Sequence, residues 1–292
     1  MTYRARAAWQ LRLLVLPSVL LLSLLIIYPA LYSIYLSFTN QALTGLAALH
    51  PRMVGFKNYV RLFNDGGFWN SLLVTFLFVF GSAVVGQFVL GLISAVLLSR
   101  RLRLKSFFNS VILLPNAVPE VVAGFMWISM LAGGDHSTLS RIVSVFGVEP
   151  QYWLNTFPLT MIIIVNTWRG IATAMILLMA GLAAVPNDVY EAAVMDGAKG
   201  WQVFRMITLP LIMPTIFLYM LVSTVTTISI FGFVYTLTRG GPGSATEILG
   251  IYIYNQSFTA YQLGYGSAVA VISLFISLAI GIIYVRALKV EV

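Results

Sequence analysis

Six long apolar stretches, each closed by charged or turn-forming residues, leave this chain few folds to choose from. They run over about 13–38, 71–98, 107–131, 157–184, 208–237 and 262–288. As helices, each is long enough to cross a bilayer core of about 30 Å. In lipid every backbone N–H and C=O must be satisfied within the chain, so such runs fold as helices. The expected fold class is therefore all-α: a polytopic membrane protein with six transmembrane helices in one domain spanning 1–292. Only 9% of residues are charged and 60% are hydrophobic, against a charged share of roughly 25% in a soluble domain. The first stretch is too long for the apolar region of a secretory signal and lacks a small-residue cleavage site, so it reads as a span.

Side assignment follows from the basic residues. With the N-terminus in the cytoplasm, the inner segments hold eleven: Arg4, Arg6, Arg12, Arg100, Arg101, Arg103, Lys105, Lys199, Arg205, Arg286 and Lys289. The outer segments hold five, Arg52, Lys57, Arg61, Arg141 and Arg239, and Arg169 lies inside a span. The excess places both termini in the cytoplasm. In the first outer segment Phe56, Tyr59, Val60 and Phe63 recur at i, i+3, i+4, i+7, one face of an amphipathic helix. Gly81, Gly86 and Gly91 give the second span a small-residue seam, and Pro115 and Pro119 interrupt the third.

Several chemistries are not expected. The chain has no cysteine, and its two histidines, His50 and His136, lie far apart in loops, so no metal site is indicated. No Ser/His/Asp arrangement and no series of intramembrane acids suggests catalysis or a proton relay. The glycine-rich stretch Arg239–Gly243 reads as a tight turn and has no following lysine, so it is no phosphate-cradling loop.

The most informative polar segment is 186–207, on the inner side, between the fourth and fifth stretches. Pro186 ends one helix, Asp188 is placed to cap the next, and Glu191 follows three residues later as in a capping box. Gly197 is placed to stop that helix in a left-handed turn, and Trp201 to Met206 forms a second arm. The expectation is a helix-turn-helix standing in water. Glu191, Ala192, Ala193, three residues, Gly197, nine residues, Ile207, one residue, Leu209 and Pro210 reproduce the spacing of a known motif.

On those residues the chain resembles the EAA-motif permease subunits of type I ABC importers. VPNDVYEAA, the Asp196–Ala198 DGA and the ITLP ending at Pro210 are similar to the carbohydrate-uptake branch, which includes the maltose permeases. Leu237 to Pro242 resembles the LTxGGP of that branch; Gly232 departs from it, since many members carry an acid there. The resemblance implies that the 186–207 loop couples to an ATPase through Glu191, Ala192, Ala193, Asp196 and Gly197. It further implies a second homologous permease, two ATPase subunits carrying the ATP and Mg, and an extracytoplasmic solute-binding protein. This chain itself would hold no cofactor and hydrolyse nothing. Its place would be the bacterial cytoplasmic membrane, and its role half of a sugar pathway. An ion-coupled secondary transporter or a channel subunit is the alternative.

Polar residues inside spans are costly and mark a pathway or a packed contact. Asn166, Arg169, Gly170 and Thr173 share one face of the fourth span; Ser223, Thr226, Thr227 and Ile230 share one face of the fifth. The resemblance assigns the substrate cavity to these two helices; the alternative for the hydroxyls is bonding back to their own helix carbonyls. Counted from the outer ends, Arg169 and Glu120 lie at similar depth. They either form a structural ion pair, or Arg169 faces the solute. Trp168 reads as packing or as a platform for a sugar ring.

Overall fold

The computed structural model describes residues 15–100, 102–134 and 137–290, residues 289 and 290 by their backbone alone. Arg4, Arg6, Arg12, Arg101, His136, the start of the first stretch at Leu13 and the Lys289 side chain lie outside the described residues. All regular elements among the described residues are helical, apart from one isolated bridge between Thr39 and Met53. They form two compact units. One joins the chain up to Asp65 with Ile253–Leu274; the other joins Gly66–Tyr252 with the chain from Phe275 onward.

The helices that matter are α1 (Val15–Ser37), α2 (Lys57–Phe63), α3 (Gly66–Ser99), α4 (Lys105–Ala117), α5 (Glu120–Leu131) and α6 (Pro158–Ala183). They are followed by α7 (Asn187–Met195), α8 (Gly200–Leu211), α9 (Met213–Ile228), α10 (Gly232–Thr238), α11 (Leu249–Tyr254) and α12 (Leu263–Val290). Four of them, α1, α3, α6 and α12, are long and apolar enough to cross a membrane, and up to six spans result if each bent pair counts as one.

The bends have local causes. Between α4 and α5 the axis turns by 105°. Pro115 is tolerated inside α4, and the break falls at Val118, held extended ahead of Pro119. Between α8 and α9 the axis turns by 64° at Ile212, one residue before Met213-Pro214. The fifth stretch is not one rod. Beyond Ile228 the amides of Ser229 and Ile230 bond three residues back, to Thr226 and Thr227, and the chain restarts as α10. At Gly232, the first residue of α10, an added Cβ would sit 2.6 Å from Glu120 Oε2, so glycine is what fits there.

In the larger unit α6 is the central helix, packed along α3. The glycine seam of α3 faces it: Gly81 meets Ile163, Gly86 meets Thr167, and a Cβ at Gly91 would overlap Ala174. One apolar core, including Phe78, Ile162, Val165 and Phe233, fills one end; a second, including Leu98, Met175, Leu178 and Ile212, fills the other. In the smaller unit Asn58 donates to the carbonyls of Ser37 and Thr39, both at 2.8 Å, and Arg61 lies 4.1 Å over the Tyr265 ring. Phe56, Val60 and Phe63 on or beside α2 are exposed, whereas Leu62 is buried.

Replacing Gly91 by Leu should force α3 and α6 apart and cost about 1–3 kcal/mol. Thermal unfolding in detergent would show it. Gly66→Ala, at a position with no neighbour within 4 Å, is the silent control.

Candidate translocation cavity and the loop that serves it

A cavity of about 270 Å³ opens between α3, α4, α5, α6 and α9. All eight residues singled out on the two polar faces line it: Asn166, Arg169, Gly170 and Thr173 from α6, and Ser223, Thr226, Thr227 and Ile230 at or beyond α9. Glu120 joins them, with Gln87, Asn116 and Val222, which sequence reasoning missed. Asn116 and Gln87 carried a readable signal, a carboxamide inside an otherwise apolar run.

Gln87 ties the wall together. Its Nε2 donates to the Asn166 carbonyl at 2.9 Å, and its Oε1 accepts from Ser223 Oγ at 2.8 Å, so one carboxamide joins α3, α6 and α9. The Asn166 amide donates to Ser82 Oγ at 2.7 Å, and Ser82 donates in turn to the Phe78 carbonyl. Gly170 is what lets Gln87 in: a Cβ there would overlap the carboxamide. The eight-residue wide turn Phe80–Gln87, in which α3 is locally under-wound, delivers Gln87 to this crossing. Thr226 instead bonds back to the Val222 and Ser223 carbonyls.

Arg169 Nη1 lies 3.4 Å from Glu120 Oε1, a long single contact and not a fork. The guanidinium also sits 5.7 Å from the Phe233 ring centre, and its buried Nε has no partner among the described residues. Trp168 meets Trp127 edge to face at 5.6 Å, a packing contact. The arrangement offers hydrogen-bonding hydroxyls and amides beside a cation whose charge is balanced locally. Among the described residues no three His, Asp or Glu side chains gather to hold a metal.

The segment between α6 and α9 starts differently from the sequence expectation. Asp188 does not cap α7; the capping position is Pro186, in extended geometry, and no side-chain hydrogen bond closes that end among the described residues. Proline fixes φ and offers no N–H, and α7 begins two residues sooner than a cap at Asp188 would place it, so Asp188 falls in its first turn, where the helix dipole favours an acid. The far end is a tight stop: Gly197 has φ +73°, its amide bonds to the Val194 carbonyl and that of Ala198 to the Ala193 carbonyl. A second helical arm follows at once, its first amide, that of Lys199, donating to Gln202 Oε1 at 2.9 Å. Ala193 is buried, whereas Glu191, Ala192 and Asp196 are exposed, with no ion pair to either carboxylate among the described residues. Met195 and Trp201 beside them are 86% and 69% exposed.

Residues 87–289 match the family model described as binding-protein-dependent transport system inner membrane component. The chain belongs to that family. This permease is 31% identical over 277 residues to the trehalose/maltose transport system permease protein of Thermococcus litoralis, covering 94% of this chain and 92% of the relative. It is 32% identical over 287 residues to the sulfoquinovosyl glycerol transport system permease protein of Agrobacterium fabrum, covering 96% and 90%. A solved bacterial ABC transporter that imports the acidic polysaccharide alginate shares the fold of this permease, with a TM-score of 0.82, 20% identity and coverage of 97% and 96%. Family membership places the chain in the inner membrane as an integral transport subunit and sets the secondary-transporter and channel alternatives aside.

Glu120→Gln should leave Arg169 without its counter-charge and destabilise the permease by about 1–3 kcal/mol, between the values for exposed and buried pairs because Glu120 is 40% exposed. Glu120→Gln combined with Arg169→Gln should recover most of that loss, which a double-mutant cycle of thermal midpoints would measure.

Proposed function

We propose that this permease forms half of the solute route of an ATP-driven, binding-protein-dependent sugar importer and receives the force of ATP hydrolysis through the loop at Glu191. One observation carries this reading: α6 and α9, which line the polar cavity, are the two membrane helices that this loop joins. A push on the loop therefore acts directly on the cavity wall.

The exposed Glu191 and Asp196 carboxylates, flanked by exposed Met195 and Trp201, make a surface of the kind a protein partner covers. Gly197 and the bonds that stop α7 keep the two arms at a set angle, so Glu191 is the anchor, Ala192 and Ala193 the close-fitting shoulder, and α7 to α8 a coupling helix-turn-helix. The partner is an ATPase subunit, which holds ATP and Mg. In this reading each bent pair is one span, which gives six. Both termini and the loop then face the cytoplasm, with Arg100, Arg103, Lys105, Lys199, Arg205 and Arg286 on that side.

A cavity of about 270 Å³ lies at the lower edge of the roughly 300–1,000 Å³ of small-molecule sites, so a second homologous permease supplies the rest of the route. Two ATPase subunits and an extracytoplasmic binding protein complete the assembly. The names of the relatives, trehalose/maltose and sulfoquinovosyl glycerol, support a carbohydrate as the solute, to which Ser223, Gln87, Asn116 and Thr173 in the cavity wall would present hydroxyls and amides. Arg169 serves mainly as the structural partner of Glu120.

The test is transport and ATPase activity of the complex reconstituted with its ATPase, partner permease and binding protein. Glu191→Ala, or Gly197→Leu at a φ that favours glycine, should lower solute-stimulated ATPase activity and uptake by on the order of tenfold or more while the complex still binds its binding protein. Wild-type activity in both variants would refute the coupling role.

A further inference from the structure

Two cavities meet where α3 ends. The first, about 460 Å³, is a groove along α3 closed by Gly200, Trp201 and Phe204 of α8. The second, about 370 Å³, lies under α7 and is walled by Ser99, Tyr190, Ala198 and Thr208. Val96, Arg100, Gly200 and Phe204 border both, so the two share one edge.

The wall of the groove has a simple composition. Phe88, Val89, Leu92, Ile93, Val96 and Leu97 stand on one stripe of α3, and the stripe ends in Arg100. From residue 88 to residue 100 the helix rises about 18 Å, close to the depth of one leaflet of a bilayer with a core of about 30 Å. Arg100 is exposed, and no hydrogen bond or ion pair occupies its guanidinium among the described residues. Arg103 and Lys105 follow it in sequence. Trp201 stacks on Phe204 at 5.5 Å, and an indole is a side chain that favours the membrane interface.

A leaflet-deep apolar groove closed by a free cation complements one kind of molecule: a long hydrocarbon chain with a negative head. We infer that this double cavity binds one anionic phospholipid, its acyl chain along Phe88 to Leu97 and its phosphate on Arg100. In the second cavity Ser99 Oγ donates to the Val96 carbonyl and Thr208 Oγ1 to the Tyr190 hydroxyl, which leaves the Tyr190 O–H to donate to the remainder of the head group. The site lies between α3 and the loop helices, so an occupied groove braces the segment through which Glu191 would act. That last consequence rests on the function proposed above. Lipid binding itself does not.

The experiment is native mass spectrometry of the whole complex released from nanodiscs of phosphatidylglycerol and phosphatidylcholine in equal amounts. Retention of one phosphatidylglycerol per copy of this chain, in preference to phosphatidylcholine, is expected. Arg100→Gln should lower that retention roughly fivefold. Ile93→Trp, which fills the groove from an exposed position, should abolish it, and Arg205→Gln, outside both cavities, should not change it. Equal retention of the two lipids, or retention insensitive to Arg100→Gln and Ile93→Trp, overturns the proposal. So does a disulfide or cross-link from a cysteine at position 89 to the partner permease, which would show protein in the groove. Retention is read without ATP or solute, so a failure of the sugar-import reading would leave this result standing, and the reverse also holds.

Discussion

The Gln87 carboxamide is the contact on which the rest of the larger unit turns. Inside an apolar bundle a polar group without partners costs more than a hydrogen bond returns, so its donor and acceptor must both be answered. Gln87 answers them with the Asn166 carbonyl and the Ser223 hydroxyl, on two different helices. That sets the register of α3 against both α6 and α9. Gly170 is required because the carboxamide occupies the space of its side chain, and the seam of Gly81, Gly86 and Gly91 extends the same close approach along α3. The polar cavity is the space left beside this crossing.

The Glu120 and Arg169 pair depends on the same frame from the other side. Arg169 is carried by the rigid α6, whereas Glu120 opens α5 just after the break at Val118 and Pro119. Without that break Glu120 would be one more residue of a straight rod. Gly232, where a Cβ would sit 2.6 Å from Glu120 Oε2, clears the room for that carboxylate. A single contact of 3.4 Å to one oxygen is a loose tether for a guanidinium with five donors.

Much of this was legible before any coordinates. The apolar stretches gave the all-helical class, since length and lipid leave no other choice. The two polar stripes were readable because i, i+3, i+4 spacing survives in a straight helix, and their residues gather in one cavity. The depths of Arg169 and Glu120 brought the two together because rise per residue is nearly constant. What escaped notice had no periodicity to announce it. Gln87 is one amide in a long greasy helix, and Asn116 lies just before a break. The close approach of Gly232 to Glu120, more than a hundred residues earlier in the chain, is a long-range contact that no local pattern encodes. Asp188 looked like a cap because its type suits that role, but Pro186 had already committed the backbone.

The knee at Ile212 carries a mechanical consequence. Ile212 is fully buried and belongs to the second core cluster with Ala95, Leu98 and Leu178, so the joint is clamped between two helical arms. With a turn of 64°, a displacement along α8 projects by less than half onto the axis of α9, and the larger component is directed sideways. In the coupling proposed above, a thrust along α8 therefore moves the hydroxyl-bearing wall of α9 mainly sideways, which widens or narrows a passage without lengthening it.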